Sequence, residues 1–133
     1  MAETYTPVMR ALVAAALLLA SMTVMIVTMN TARAAGALAI GACGAFGEAY
    51  DFRSSEDARK SALSKCRGET CRLVTTVKRG CAAFAVDFTN PCGGNGWGKG
   101  PRLGRSQNEA LKACYADGGK ECVIRTFFCD VKG

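Results

Sequence analysis

The chain has 133 residues, eight cysteines, no histidine and a formal net charge of +6 at neutral pH. A chain of this length forms one small domain whose core leaves little stability to spare, so cross-links matter. Without histidine, serine- or cysteine-based catalysis lacks its commonest base. The basic residues are dispersed rather than gathered in a stripe with interleaved aromatics, which argues against nucleic acid as a partner.

The chain opens with a positive residue, Arg10, an uncharged apolar run from Ala11 to Met29, and Ala32-Arg33-Ala34. That order matches a secretory signal peptide, expected at 1–34 with cleavage after Ala34. A retained membrane anchor is the competing reading, because the run is long enough to cross a bilayer. Cleavage would leave 35–133 as a single disulfide-rich domain, periplasmic or secreted, with no membrane contact of its own. In such an oxidising space an even number of cysteines is expected to pair.

Leu38 and Ile40 alternate with small residues, and Phe46, Glu48, Tyr50 and Phe52 follow at period two, so two strands are expected. A helix follows, opened by Ser54 with Asp57 three residues on, carrying Ala58, Ala62, Leu63 and Cys66 on one face and stopping by Gly68. The β-branched run Cys71 to Lys78 reads as a third strand. The second half has a strand at Ala82 to Phe88, a glycine-rich strand or loop around Trp97, a helix, and a closing strand from Cys122 to Cys129. Ser106 with Glu109 forms a capping box for that helix, whereas alignment with the first helix starts it near Arg102.

The halves are copies of one unit. CGAFG at Cys43 to Gly47 returns as CGGNG at Cys92 to Gly96, ALSKC ending at Cys66 as ALKAC ending at Cys114, and ALAI at Ala37 to Ile40 as AFAV at Ala83 to Val86. The expected fold is therefore α+β: two tandem β-β-α-β repeats, about 36–81 and 82–130, forming an antiparallel sheet with two helices. Eight cysteines allow on the order of a hundred connectivities, and the repeat symmetry is the ground for choosing among them. It pairs Cys66 with Cys71 and Cys114 with Cys122 as clips between a helix and the next strand. It pairs Cys43 with Cys92 and Cys81 with Cys129 across the pseudo-two-fold axis. In chain-entropy terms each short clip contributes roughly 2 kcal/mol and each long link roughly 4 kcal/mol.

The duplicated GALAIGACGAFGEAY and KCRGETCRLVTTVKRGCAAFAV stretches, then GWGKG, a helix and a strand ending in FFC, resemble the family called domain of unknown function 4189. The resemblance covers Gly36 to Asp130 and implies an exported bacterial protein. It carries no established catalytic residues. The chain departs from the family pattern at DFTNPCGG and GWGKGPRLG.

Four residues separate Cys66 from Cys71 and seven separate Cys114 from Cys122, so at most one pair has zinc-knuckle spacing; histidine partners are absent, and no Cys-x-x-Cys redox motif occurs. No metal or cofactor is expected. Gly93, Gly98 and Lys99 match the start of a phosphate-binding loop, but Gly100 stands where the motif needs Ser or Thr. Trp97 is either a cover over the sheet or, between glycines, an exposed platform for a sugar or protein partner. With Lys99, Arg102 and Arg105 it forms the candidate binding site. No catalytic residue is assigned, and a non-enzymatic module that binds an envelope polymer or a protein is the expected function. The alternative is a secreted effector or weak hydrolase using Glu48, Asp51 or Asp87, although Glu48 and Asp51 point to opposite faces of a strand.

Overall fold

The computed structural model describes residues 6–29 and 34–130. Helix α1 spans Pro7–Met29 and forms a unit separate from the one beginning at Arg33. Thr31, Ala32 and Arg33, which carry most of the expected cleavage signal, lie outside the described residues. Among the described residues no helix is long and apolar enough to cross a membrane.

The second unit is α+β. Strand β1 (Ala35–Ile40) lies between β2 (Phe46–Phe52) and β3 (Arg72–Val77), antiparallel to both. Strand β4 (Gly80–Asp87) lies likewise between β5 (Asn95–Gly100) and β6 (Cys122–Asp130). Helices α2 (Ser55–Lys65) and α3 (Leu103–Ala116) connect the outer strands of their own halves. Each half is β-β-α-β with its first strand in the middle, but the halves build two three-stranded sheets rather than the single sheet expected. The reason is burial: every residue of β1 and of β4 is buried, so each central strand needs cover on both faces.

The two faces carry different residues. Leu38 and Ile40 of β1 meet Ala82, Phe84 and Val86 of β4, with Val77 and Phe128, in one core between the sheets. Ala37 and Ala39 face Ala58 and Ala62 of α2, while Ala83 and Ala85 face Ala110 and Cys114 of α3. The layer order is thus helix, sheet, sheet, helix. Complete burial of a Leu or Phe side chain contributes about 1.5–3 kcal/mol, and Leu38 and Phe84, both fully buried, stand at equivalent positions of the two copies. One irregularity repeats as well. The central strand slips register against the third strand between Leu38 and Ala39 in one sheet and between Phe84 and Ala85 in the other.

On the helix-facing side small residues are obligatory. A Cβ on Gly47 would run into the backbone of Ala62 and Cys66 in α2, and one on its counterpart Gly96 into Ala110 and Cys114 in α3. Helix and strand therefore touch backbone to backbone.

The eight cysteines form the pairs 43–92, 66–71, 81–129 and 114–122, and among the described residues no cysteine is free. Cys66–Cys71 and Cys114–Cys122 join the end of a helix to the start of a strand. Cys43–Cys92 joins the two halves. The Cys81–Cys129 pair forms as expected, but instead of crossing the pseudo-two-fold axis its residues are register partners on β4 and β6 of one sheet.

One open boundary is decided and one further expectation, the placement of Leu63, is corrected. Helix α3 begins at Leu103 with Arg102 as its cap, so alignment of the copies, not the Ser106 capping box, locates its start. Ser106 is buried, at the position equivalent to Ala58, and its hydroxyl donates to the Leu103 carbonyl at 2.8 Å. Leu63, expected on the buried face of α2, is 40% exposed, because the alanine contacts leave no depth for a longer side chain. The Ser54 cap forms as expected, its hydroxyl oxygen accepting from the Asp57 N–H at 3.1 Å.

The glycine contacts separate two substitutions. Gly96→Ala should lower stability by about 1–3 kcal/mol or more, since the clash is with backbone. Gly104→Ala, where a Cβ meets nothing within 4 Å, should raise it by about 0.5–1 kcal/mol through helix propensity. Thermal unfolding of the two variants beside wild type measures both, and equal effects would contradict the backbone packing.

Candidate functional site: a basic groove around Trp97

Strand β5 is an edge strand, and its alternation sorts the site. Gly96 and Gly98 lie against the backbone of α3, so Trp97 and Lys99 project to the opposite face, toward the other sheet. Trp97 is 38% exposed. The Lys99 ammonium donates to the Thr76 carbonyl of β3 at 2.7 Å and ties the two sheets together at this edge. The segment between β3 and β4 brings Lys78 and Arg79 beside them. Arg79 holds φ at 55°, a left-handed conformation that a residue with a Cβ adopts at a cost.

These residues line a depression of about 630 Å³, made by Lys78, Arg79, Trp97, Lys99, Pro101, Glu109 and three glycines. A second depression of about 550 Å³ adjoins it, made by Pro101, Arg102, Gly104, Arg105, Asn108, Glu109 and Lys112. Pro101 and Glu109 belong to both, so the two form one continuous open groove. Its walls hold six cationic side chains and one acidic one. That acid, Glu109, is already paired with Lys112 at 3.7 Å. Both depressions fall in the size range of ligand sites, about 300–1,000 Å³, and most of their lining residues other than glycine are charged, although apolar carbon makes up much of the exposed surface.

Trp97 and Lys99 thus sit in one depression, and Arg102 and Arg105 in the next. Lys78, Arg79 and Lys112 were missed by sequence reasoning. The adjacent pair Lys78-Arg79 reads along the chain as an ordinary polar turn, and only the pairing of β4 with β5, which sets Cys81 opposite Gly100, carries it to the groove. In the stretch resembling a phosphate loop, Gly98 and Lys99 lie on the paired strand β5 with Gly98 against α3, while Gly93 stands in the preceding turn against Asn90.

Of the acids named as alternatives, the Glu48 and Asp87 carboxylates are engaged elsewhere and separately, while Asp51 is held through its backbone. Glu48 accepts a hydrogen bond from the Thr126 hydroxyl across the sheets. The Asp51 N–H donates to buried Asp130 at 3.3 Å. Asp87, also buried, accepts from the Lys120 N–H at 2.6 Å on one oxygen, and on the other from the Thr89 N–H, the Thr89 hydroxyl and the Asn90 N–H at 2.9, 2.8 and 3.1 Å. The Lys120 N–H first, then the Thr89 hydroxyl, hold its carboxyl well below the usual carboxylate range. Such a group is ill suited to proton transfer near neutrality. It works as a clamp between the end of β4 and the loop before β6.

A small α+β domain stapled by four disulfides, with a basic groove along one sandwich edge, is the class that these features define. The chain belongs to the family described as Domain of unknown function (DUF4189), whose model matches residues 35–129. No curated protein and no solved structure matches it.

Because the folded state lowers the Asp87 pKa, its contribution to stability is complete above the ordinary aspartate value of about 4. It is lost as the pH falls from there toward the depressed folded value. Asp87→Asn should therefore unfold more easily than wild type at pH 7, with the gap closing below about pH 4. Thermal melts across that range check this, and a gap independent of pH would show that the charge of Asp87 contributes nothing.

Proposed function

We propose that this protein is a small exported, disulfide-stapled binding module of the periplasm or extracellular space, which holds an anionic partner in the groove of Trp97, Lys99, Arg102 and Arg105. The observation that carries the reading is the convergence of Trp97 with six cations around one already paired acid. Cations gathered along one groove attract a polyanion far more strongly than the same charges dispersed over a surface, and the attraction is screened by salt. Export is supported by the apolar run after Arg10 and by the complete pairing of the described cysteines, which an oxidising compartment maintains. A binding role rather than catalysis is supported by the separate structural engagements of the Glu48 and Asp87 carboxylates.

Two experiments test it. Immobilised wild type, Trp97→Ala and the double variant Arg102→Gln/Arg105→Gln are exposed to bacterial envelope extract. Wild type should retain partners that both variants lose and that high salt releases, and equal recovery by all three would sink the role given to the groove. Amino-terminal sequencing of the exported protein should begin at Ala35, and a chain still beginning at Met1 would overturn the cleavage.

A further inference from the structure

The two halves are copies, so a departure of one copy from the other at an equivalent position marks where the second copy has acquired its own role. The sandwich has two such equivalent edges. At one, β2 lies over β6: Glu48 accepts from the Thr126 hydroxyl, the Tyr50 and Phe128 rings stack at 6.3 Å, and the Asp51 N–H donates to Asp130. At the other, β3 lies beside β5. There the residue after the helix-contacting glycine is Trp97 in place of Glu48, with 38% of its surface exposed, and Lys99 takes the place of Tyr50. The first edge is spanned by side-chain pairs, with Tyr50 still 51% exposed, while the other presents a partly covered indole and a row of cations to solvent.

The ligand class follows from what the groove holds and lacks. Its only bulky apolar residues are Trp97 and Pro101, the rest of its apolar surface being glycine and the stems of charged side chains, and that makes no desolvated pocket of the kind that takes the aromatic or aliphatic anchors of a protein. A single aromatic does not make the succession of stacking platforms that single-stranded nucleic acid uses. A lipid surface needs a broad apolar face beside the charge. What remains is an extended, flat-faced, strongly hydrated polyanion. A sugar ring lays its C–H face on an indole, and the acidic groups of the same chain meet guanidinium forks, which match carboxylate geometry. Arg79 bears on the same point. It lines the groove at φ 55°, where glycine would carry no strain, so the side chain is kept at a conformational cost.

We infer that the groove binds an anionic polysaccharide, with Trp97 stacking on a sugar ring and Arg79, Arg102 and Arg105 meeting its acidic groups; this rests on the binding reading above and names its ligand class. Polygalacturonate, neutral dextran of matched length and polyglutamate serve as defined probes, with binding followed by Trp97 fluorescence for chains that retain it and by calorimetry for all. Polygalacturonate should bind measurably, and dextran and polyglutamate at least about tenfold more weakly, a difference of about 1.4 kcal/mol. Trp97→Ala should weaken polygalacturonate by about tenfold without changing its salt dependence, because it removes the stack and no charge. Arg102→Gln/Arg105→Gln should weaken it and flatten the salt dependence. Arg79→Gly should weaken binding while leaving thermal stability equal or higher, a combination that a purely structural residue does not produce. Polyglutamate binding as tightly as polygalacturonate would overturn the sugar assignment while leaving an anion-binding groove. Indifference of every probe to the arginine substitutions, in variants that melt like wild type, would overturn the groove reading itself.

Discussion

The contact on which this structure depends is the approach of each helix to its sheet without side chains between them. At Gly47 and at Gly96 the strand backbone lies directly against helix backbone, and alanines fill the remaining contact on both sides. Such contact places all the bulky apolar groups on the other face of each sheet. Leu38, Ile40, Phe84, Val86 and Phe128 are left to meet one another, and a four-layer sandwich is the arrangement that buries both faces of each central strand. The helix contacts are thin, since alanine buries little area and each methylene contributes only about 0.8 kcal/mol. The Cys66–Cys71 and Cys114–Cys122 clips lie at the end of each helix and supplement a weak apolar contact with a covalent one.

Duplication explains the economy of the fold, and its breakdown explains the groove. The copies share strand order, register slips, helix-end clips and the buried positions of Ala58 and Ser106. They differ at the sandwich edges. Glu48 lies over Thr126 at one edge, whereas Trp97 stands open at the other, and Lys99 crosses to the Thr76 carbonyl. The glycines beside Trp97 serve the fold by admitting α3, which directs Trp97 and Lys99 to the opposite face of the strand. Asp87, by contrast, has its two oxygens occupied by donors from both flanking segments. A carboxylate so held orders a loop and has no lone pair to spare for chemistry.

Cysteine chemistry and internal homology were legible along the chain because both depend on residue type and order. The same homology located the start of α3 better than the local Ser106-Glu109 signal. A capping box is a matter of local hydrogen bonds, whereas the copy records how the helix packs. Leu63 misled for the opposite reason: helical periodicity assigns it to the inner face, but the alanine contact between α2 and its sheet is too shallow to take it.

By itself, then, the amino-acid sequence determined the α+β class, the order of elements, the doubling of the unit and the expectation that every cysteine would be bonded. These are set by periodicity, glycine and cysteine placement, and repetition, all local or nearly local properties. Tertiary structure alone decided that six strands divide into two sheets, that Cys81–Cys129 is a bond within one sheet, and that Lys78, Arg79 and Lys112 join Trp97, Lys99, Arg102 and Arg105 around one groove. Those outcomes follow from which buried faces find each other, and no short stretch of the chain contains both partners of such a contact.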